Sequence, residues 1–193
     1  MEVAIIDYNA GNTTSVANAL ARLGCTASVS NNAERIAAAD KVIFPGVGEA
    51  SSAMRALQQT GLDSLLPTLR QPVLGICLGM QLMCQRSAEG NTTGLGIFEA
   101  QVERFPSRGR VPHTGWNNLE QAKGPLFDGL PMDTDFYFVH SFCVPLCPQS
   151  VATCNYLQPF SAALQRQNFY GTQFHPEKSG AAGQQLLQNF LSL

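Results

Sequence analysis

The stretch Pro72-Val73-Leu74-Gly75-Ile76-Cys77-Leu78-Gly79-Met80-Gln81 decides the fold of this chain. Its apolar first half predicts a short buried strand, and the apolar spacing that follows predicts a helix. Between them lies a G-x-C-x-G turn of the nucleophile-elbow type, with Cys77 in the nucleophile's position. Gly75 and Gly79 suit this turn because it has no room for Cβ atoms beside a strained nucleophile. The turn would place the sulfur at a helix N-terminus, where thiolate is favoured and backbone N–H groups can receive an oxyanion. The motif alone is also compatible with a buried cysteine in a Gly-rich junction.

The chain before the elbow alternates between strand and helix patterns. Candidate strands cover residues 3–8, 25–30, 41–44 and 72–76, and candidate helices cover residues 12–23, 32–39 and 49–60. Asn12 or Thr13 would cap the first helix, and Gly24 would end it. This alternation predicts βαβ units and therefore an α/β fold with a mostly parallel open sheet flanked by helices.

The chain after residue 94 has a different pattern, with strands separated by Pro- and Gly-rich turns. Candidate strands at 96–105, 136–144, 151–156 and 161–165 predict antiparallel additions to one edge of the sheet. Residues 169–174 predict a further strand that leads into His175-Pro176-Glu177, after which Ser179 would cap a terminal helix. We find no long linker, so we expect one domain over residues 1–193.

Composition limits the classes of function. The 193 residues are 45% hydrophobic with a net charge of −2, so no basic surface for nucleic acid is expected. The sequence shows no signal peptide and no membrane-spanning stretch, which predicts a cytoplasmic protein. The six cysteines have no paired metal-ligand spacing, so we expect reduced, mostly buried thiols, with Cys84 on the elbow helix. We expect no metal and no organic cofactor.

Two further segments carry candidate chemistry. Cys77, His175 and Glu177 match the thiol, base and orienting acid of covalent acyl transfer. Taken alone, His175 is more typical of an ordinary surface or loop histidine than of a catalyst, and His113 and His140 are interpreted as structural. Pro45-Gly46-Val47-Gly48 follows a strand at the edge where ligands bind. It does not continue as a dinucleotide-binding G-x-G-x-x-G loop, and it suits a mobile backbone that turns an N–H towards an oxyanion.

These motifs together resemble the class I, or triad-type, glutamine amidotransferases, and the resemblance spans nearly the whole chain. More specific segments resemble the glutaminase subunits of imidazole glycerol phosphate synthases. These segments are Asp7-Tyr8-Asn9-Ala10-Gly11-Asn12, Pro112-His113-Thr114-Gly115-Trp116-Asn117, Phe138-Val139-His140-Ser141-Phe142 and His175-Pro176-Glu177-Lys178-Ser179. Thr114 stands where Met is usual and Phe142 where Tyr is more common. The resemblance implies a flavodoxin-like sheet.

The resemblance also implies residue roles. Cys77 would attack the carboxamide of L-glutamine and form a thioester, with His175 as base and acid and Glu177 as its orienter. The backbone N–H of Leu78, and that of Val47 or Gly46 after a flip, would form the oxyanion hole. The residues that would hold the amino-acid end of glutamine are Gly48, Gln81, Ser141 and Phe142.

A partner follows from the same resemblance. Ammonia is mostly protonated in neutral water, so it would cross a dry interface to a (β/α)8-barrel cyclase subunit, forming a heterodimer. The cyclase would make imidazole glycerol phosphate and an aminoimidazole carboxamide ribotide for histidine biosynthesis. The residues expected near this interface are Trp116, Asn117, Tyr137 and Lys178.

Three alternatives remain open at this point. The chain could be a triad amidotransferase of another pathway, such as vitamin B6 or nucleotide-precursor synthesis. It could be a non-catalytic docking subunit, or a stand-alone γ-glutamyl hydrolase that needs no partner.

Overall fold

A central sheet of seven strands organises the computed structural model, which describes residues 1–8 and 11–193. In chain order its strands are β1 (Val3–Ile6), β2 (Ala27–Ser30), β3 (Lys41–Gly46), β4 (Val73–Cys77), β11 (Ser150–Asn155), β12 (Pro159–Arg166) and β13 (Phe169–Thr172). They lie side by side in the order β11-β12-β13-β4-β3-β1-β2. Five of them run parallel, and β12 and β11 extend the sheet antiparallel beyond β13.

Helices cover both faces of this sheet. They are α1 (Thr13–Arg22), α2 (Ala33–Ala38), α3 (Ala50–Thr60), α4 (Leu62–Leu65), α5 (Leu78–Leu82) and α6 (Gly180–Leu191). The side chain of Asn12 caps α1 by accepting the N–H of Ser15, and Gly24 follows the helix with a φ of +73°. Both features were predicted. Asn9 and Ala10 of the opening motif lie outside the described residues.

The core lies in two layers, one on each face of the sheet, because successive strand residues point to opposite sides. Val3 and Ile5 of β1 pack with α1 and α6, whereas Ala4 and Ile6 pack with α2, α3 and α4. Burying both faces explains why the parallel strands are almost continuously apolar.

The second half of the chain differs from the prediction. Of the four strands predicted as antiparallel additions, only β11 and β12 extend an edge of the main sheet. A separate four-stranded sheet contains β5 (Cys84–Ser87), β6 (Thr92–Thr93), β7 (Phe98–Arg104) and β10 (Phe142–Cys143), and a third sheet pairs β8 (His113–Asn118) with β9 (Asp135–His140). The placement of Cys84 on the elbow helix was wrong, because α5 ends at Leu82 and Cys84 begins β5.

The parallel strands β2-β1-β3-β4-β13 have the flavodoxin-like order 2-1-3-4-5. The predicted fold class, an open and mostly parallel α/β sheet with antiparallel additions, is confirmed. Ligands of such sheets bind outside the carboxyl ends of the strands, so the ends of β3, β4 and β13 position the site. Within the described ranges, no helix has the length and apolar character needed to cross a membrane.

Candidate active site

Cys77 lies at the tip of a sharp turn between β4 and α5. Its φ of 54° and ψ of −109° are rare for a residue with a side chain. The turn can form because the neighbouring glycines approach other atoms closely. A Cβ on Gly79 would lie 1.9 Å from the carbonyl oxygen of Phe44, and one on Gly75 would lie 2.5 Å from Met83 Sδ. The structure therefore contains the elbow that the sequence predicted, and the turn has no space for Cβ atoms at Gly75 and Gly79.

His175 and Glu177 form a buried pair beyond the end of β13. The two atoms His175 Nδ1 and Glu177 Oε1 are 2.8 Å apart, and their side chains are 2% and 1% exposed. The contact is made across a short 3-10 helix at Pro176–Lys178, which follows β13. Since the carboxylate accepts, Nδ1 carries the proton and Nε2 is left to act on another group.

The pKa of His175 depends on its two neighbours. Burial alone lowers this pKa, but hydrogen bonding and charge attraction from Cys77 and Glu177 outweigh burial and raise it to about 10. Among the described residues, neither His175 Nε2 nor Glu177 Oε2 has a hydrogen-bond partner. Nε2 is therefore the ring nitrogen left for Cys77, the neighbour that helps to raise the pKa of His175 and so favours a proton on this nitrogen. A thiol, an imidazole and a carboxylate are thus assembled in the order that nucleophilic acyl transfer requires.

The backbone of His175 is tied to β9. Its N–H donates to the carbonyl oxygen of Tyr137 at 2.9 Å, and its own carbonyl oxygen accepts the hydroxyl of Ser179 at 2.7 Å. The same hydroxyl accepts the N–H of Tyr137 at 3.0 Å. Ser179 was predicted to cap α6, but its side chain makes no cap hydrogen bond because it joins these two segments instead.

A cavity of about 420 Å³ opens above the cysteine. Its lining includes Cys77, His175 and most of the predicted oxyanion and substrate residues, namely Val47, Gly48, Leu78, Gln81, Ser141 and Phe142. Gly46, also predicted for the oxyanion hole, is buried at the end of β3 in register with Cys77. A Cβ there would lie 2.6 Å from the N of Gly79, so this position requires glycine.

Four further residues line the cavity that the sequence had not suggested for it, namely Glu89, Pro112, Val139 and His140. Glu89 is the one with an obvious ligand-binding group. Its Oε2 accepts the N–H of Ala50 at 2.9 Å. Burial raises the pKa of the Glu89 carboxyl, although this hydrogen bond acts to lower it. The signal in the sequence is weak: an acidic residue in a loop after the elbow, with no motif around it.

His113 and His140 form a buried pair beside the cavity. His140 Nδ1 donates to the carbonyl oxygen of Phe142 at 2.8 Å, so its Nε2 must accept from His113 Nδ1 at 3.0 Å. Burial lowers the pKa of His140 to about 3 and that of His113 to about 4. Both rings are therefore neutral near pH 7, consistent with the structural role expected from the sequence.

The predicted interface residues fall into two groups. Trp116 is 57% exposed and packs edge-on against Tyr137, with ring centroids 6.0 Å apart, and Lys178 Nζ lies 6.0 Å from the Tyr137 ring. These three residues form one exposed patch beside the cavity residue Val139. The amide of Asn117 instead donates to His113 Nε2 and to the carbonyl oxygen of Asn155.

The part of the chain that the structure describes holds no candidate metal centre. No cluster of three or more His, Cys, Asp or Glu side chains there could hold a metal ion. All six cysteines are free thiols in this structure, and five of them are buried.

Comparison with known families identifies the class of protein to which this fold and this site belong. The family model "Glutamine amidotransferase class-I" matches residues 4–193. The chain belongs to the class I glutamine amidotransferases and is an enzyme of that class.

Relatives of the chain carry a more particular name. It is 55% identical to the "Imidazole glycerol phosphate synthase subunit HisH" of Bacteroides fragilis and 47% identical to the protein of the same name from Yersinia pseudotuberculosis, with 100% of each chain covered in both cases.

Solved structures agree with the fold. A protein named glutamine amidotransferase has a TM-score of 0.77 at 21% identity, with 98% of this chain and 97% of that chain covered. The PurLQS structure from Thermotoga maritima has a TM-score of 0.74 at 16% identity, with 99% and 97% covered.

Proposed function

We propose that this chain is the glutaminase subunit of an imidazole glycerol phosphate synthase and acts as one glutamine amidotransferase domain over residues 1–193. It hydrolyses L-glutamine to glutamate and ammonia for use by a cyclase subunit in histidine biosynthesis. The observation that carries the proposal is the elbow cysteine beside a buried His175–Glu177 pair, in a chain 55% identical to a named subunit of that synthase.

The reaction follows from the groups at the site. The sulfur of Cys77 attacks the side-chain carboxamide carbon, and its proton passes to His175 Nε2. The imidazolium then gives this proton to the leaving nitrogen as the C–N bond breaks, which leaves a γ-glutamyl thioester and ammonia. Water, deprotonated by His175, attacks the thioester, and the sulfur leaves as thiolate. The backbone N–H groups of Leu78 and of Val47 or Gly46 stabilise the oxyanion of both steps.

The cavity has separate groups for the two charges of the amino-acid end. Glu89 supplies a carboxylate for the substrate ammonium. The amide of Gln81 supplies an acceptor, since its Nε2 already donates to the carbonyl oxygen of Phe142 and to Gln173 Oε1. Its Oε1 is therefore the atom left for an ammonium group. The backbone around Gly48, Ser141 and Phe142 then serves the substrate carboxylate.

The partner is a (β/α)8-barrel cyclase subunit that docks on the patch of Trp116, Tyr137 and Lys178. This patch is connected to the site, because the backbone of Tyr137 is hydrogen-bonded to the N–H of His175 and to the hydroxyl of Ser179. A partner seated there excludes water from the route of ammonia, which would otherwise become ammonium. Free thiols throughout fit an enzyme of the reducing cytoplasm.

Glutamate release tests the proposal. The purified chain is assayed alone and with the cyclase subunit of its synthase plus the nucleotide ligand, and a Cys77→Ala variant serves as control. We expect strong turnover in the complex, and none in the variant. Equal turnover without the partner would indicate a stand-alone hydrolase, and no turnover in either condition would indicate a docking subunit.

A further inference from the structure

A polar side chain outside the lining of the cavity contacts the nucleophile. Gln173 is fully buried just after β13, and its Nε2 lies 3.6 Å from Cys77 Sγ, within hydrogen-bond distance for sulfur. Gln173 is absent from the cavity lining among the described residues, so it is placed to act on the sulfur and not on the substrate. The mechanism above assigns it no role.

The orientation of this amide is determined by its neighbours. Gln81 Nε2 donates to the carbonyl oxygen of Phe142 at 2.9 Å and to Gln173 Oε1 at 2.8 Å. A carbonyl oxygen can only accept, so Gln81 must present its NH₂ group there and to Gln173. Gln173 must then present its oxygen to Gln81 and its NH₂ to the sulfur. If the Gln173 amide were flipped, its NH₂ group would face the NH₂ group of Gln81, and two donors would be in contact without an acceptor.

The carbonyl group of Phe142 is itself held in place. It accepts a second hydrogen bond from His140 Nδ1 at 2.8 Å, and the partner of His140 in turn is His113. Because the Nδ1 proton of His140 meets a carbonyl oxygen, the donor direction is the same from Asn117 through both histidines to Phe142, and Gln81 is a second donor to that carbonyl oxygen. The chain runs from Asn117 through both histidines to Phe142, and Gln81 joins it there and leads to Gln173 and the sulfur.

We propose that Gln173 is a positioning residue that donates a hydrogen bond to the nucleophile and stabilises Cys77 as a thiolate. The inference rests on the proposed function, in which Cys77 is the nucleophile. Hydrogen bonds to an ionised acceptor are about twice as strong as neutral ones. The donor therefore stabilises the negative sulfur before attack and again when the thioester breaks, and it leaves His175 free to carry the proton.

Two substitutions remove the donor in different ways. Gln173→Met keeps a similar volume without a polar group, whereas Gln173→Glu keeps the acceptor for Gln81 but places a carboxylate against the sulfur. Gln185→Met on the exposed face of α6 is the matched control. Thermal unfolding shows which variants are folded, and both Gln173 variants are assayed, so that one folded variant suffices.

The main measurement is the rate of Cys77 alkylation by iodoacetamide between pH 5 and pH 9.5, followed at the Cys77 peptide by mass spectrometry. Loss of a hydrogen bond to a charged group, worth roughly 1.5–3 kcal/mol, shifts the midpoint of this profile upward by about one to two pH units. In the complex with the cyclase subunit, kcat for glutamine falls by about 10- to 100-fold and KM stays within about twofold.

The role of Gln173 is overturned if a folded Gln173 variant shows the alkylation midpoint and kcat of the unsubstituted chain. A lowered unfolding temperature with an unchanged pH profile also overturns it, because that combination marks a purely structural residue. Failure of the proposed function is a different result: the unsubstituted chain would then not hydrolyse glutamine even in the complex.

Discussion

The buried carboxylate of Glu177 allows one prediction to be worked through. Glu177→Gln keeps the size and planarity of the side chain and removes its charge. The new amide can still accept the Nδ1 proton of His175 through its oxygen. If it turns its NH₂ group to Nδ1, the ring adopts the other tautomer, and Nε2 can no longer take a proton from Cys77.

The expected magnitude follows from the distance within the pair. His175 Nδ1 and Glu177 Oε1 are 2.8 Å apart with almost no solvent exposure. Charges centred about 4 Å apart interact by roughly 4 kcal/mol at an effective dielectric constant of about 20. This stabilisation applies to the imidazolium that forms during the reaction. Since each ~1.4 kcal/mol changes a rate tenfold, we expect kcat to fall by about 10³-fold.

The assay is glutamate release by the complex at saturating glutamine. Glu99→Gln is the control, because it removes an exposed carboxylate that pairs with Arg166 at 2.9 Å and is 64% exposed. Exposed ion pairs contribute little, so this control should retain activity within about twofold. A Glu177→Gln variant that keeps more than about a tenth of the activity would refute the assignment of Glu177 as the orienting acid.

Three further predictions concern the cavity, the elbow and the buried histidines. Glu89→Gln should raise the KM for glutamine about tenfold or more and leave Cys77 alkylation unchanged; an unchanged KM would contradict ammonium binding by Glu89. Gly79→Ala forces a methyl group onto the carbonyl of Phe44, so calorimetry should show a melting temperature lower by roughly 2–10 °C. The pKa values of His113 and His140 are lower in the folded chain than in the unfolded chain. As pH falls, both histidines are therefore protonated in the unfolded chain before they are protonated in the folded one. Their contribution to stability is present above pH 6.5 and is lost as pH falls. Urea unfolding should show a loss of about 1.6 kcal/mol per histidine between pH 6.5 and pH 5, whereas a flat profile would contradict buried neutral rings.

Local signals in the sequence predicted most elements of the main sheet. Asn12 caps α1 as expected, because a cap depends on a residue and the three that follow it, and Asn32 caps α2 in the same way. Ser179 is a case in which the local pattern predicted the wrong hydrogen bond. Its hydroxyl is bound by the backbone of Tyr137, a residue 42 positions away, so the cap hydrogen bond expected from the local pattern does not form.

The sequence by itself determined the elbow, the alternation of strands and helices, and the residue types of the candidate triad. These features depend on short-range sterics: Gly75 and Gly79 surround Cys77 because the turn between β4 and α5 has no space for Cβ atoms. The motifs also led to the family, since they combine the elbow with His175 and Glu177 in the chain order of that class.

Only the tertiary structure decided which polar groups meet at the site. Gln173 reaches the sulfur of a residue 96 positions earlier, and Gln81 reaches the carbonyl of Phe142 61 positions later. Glu89 lines the cavity from a short 3-10 helix, Glu89–Asn91, that no motif in the sequence marks. Hydrogen bonds between distant segments depend on the packing of strands and loops in three dimensions. This packing cannot be predicted from the periodicity or spacing of residues along the chain.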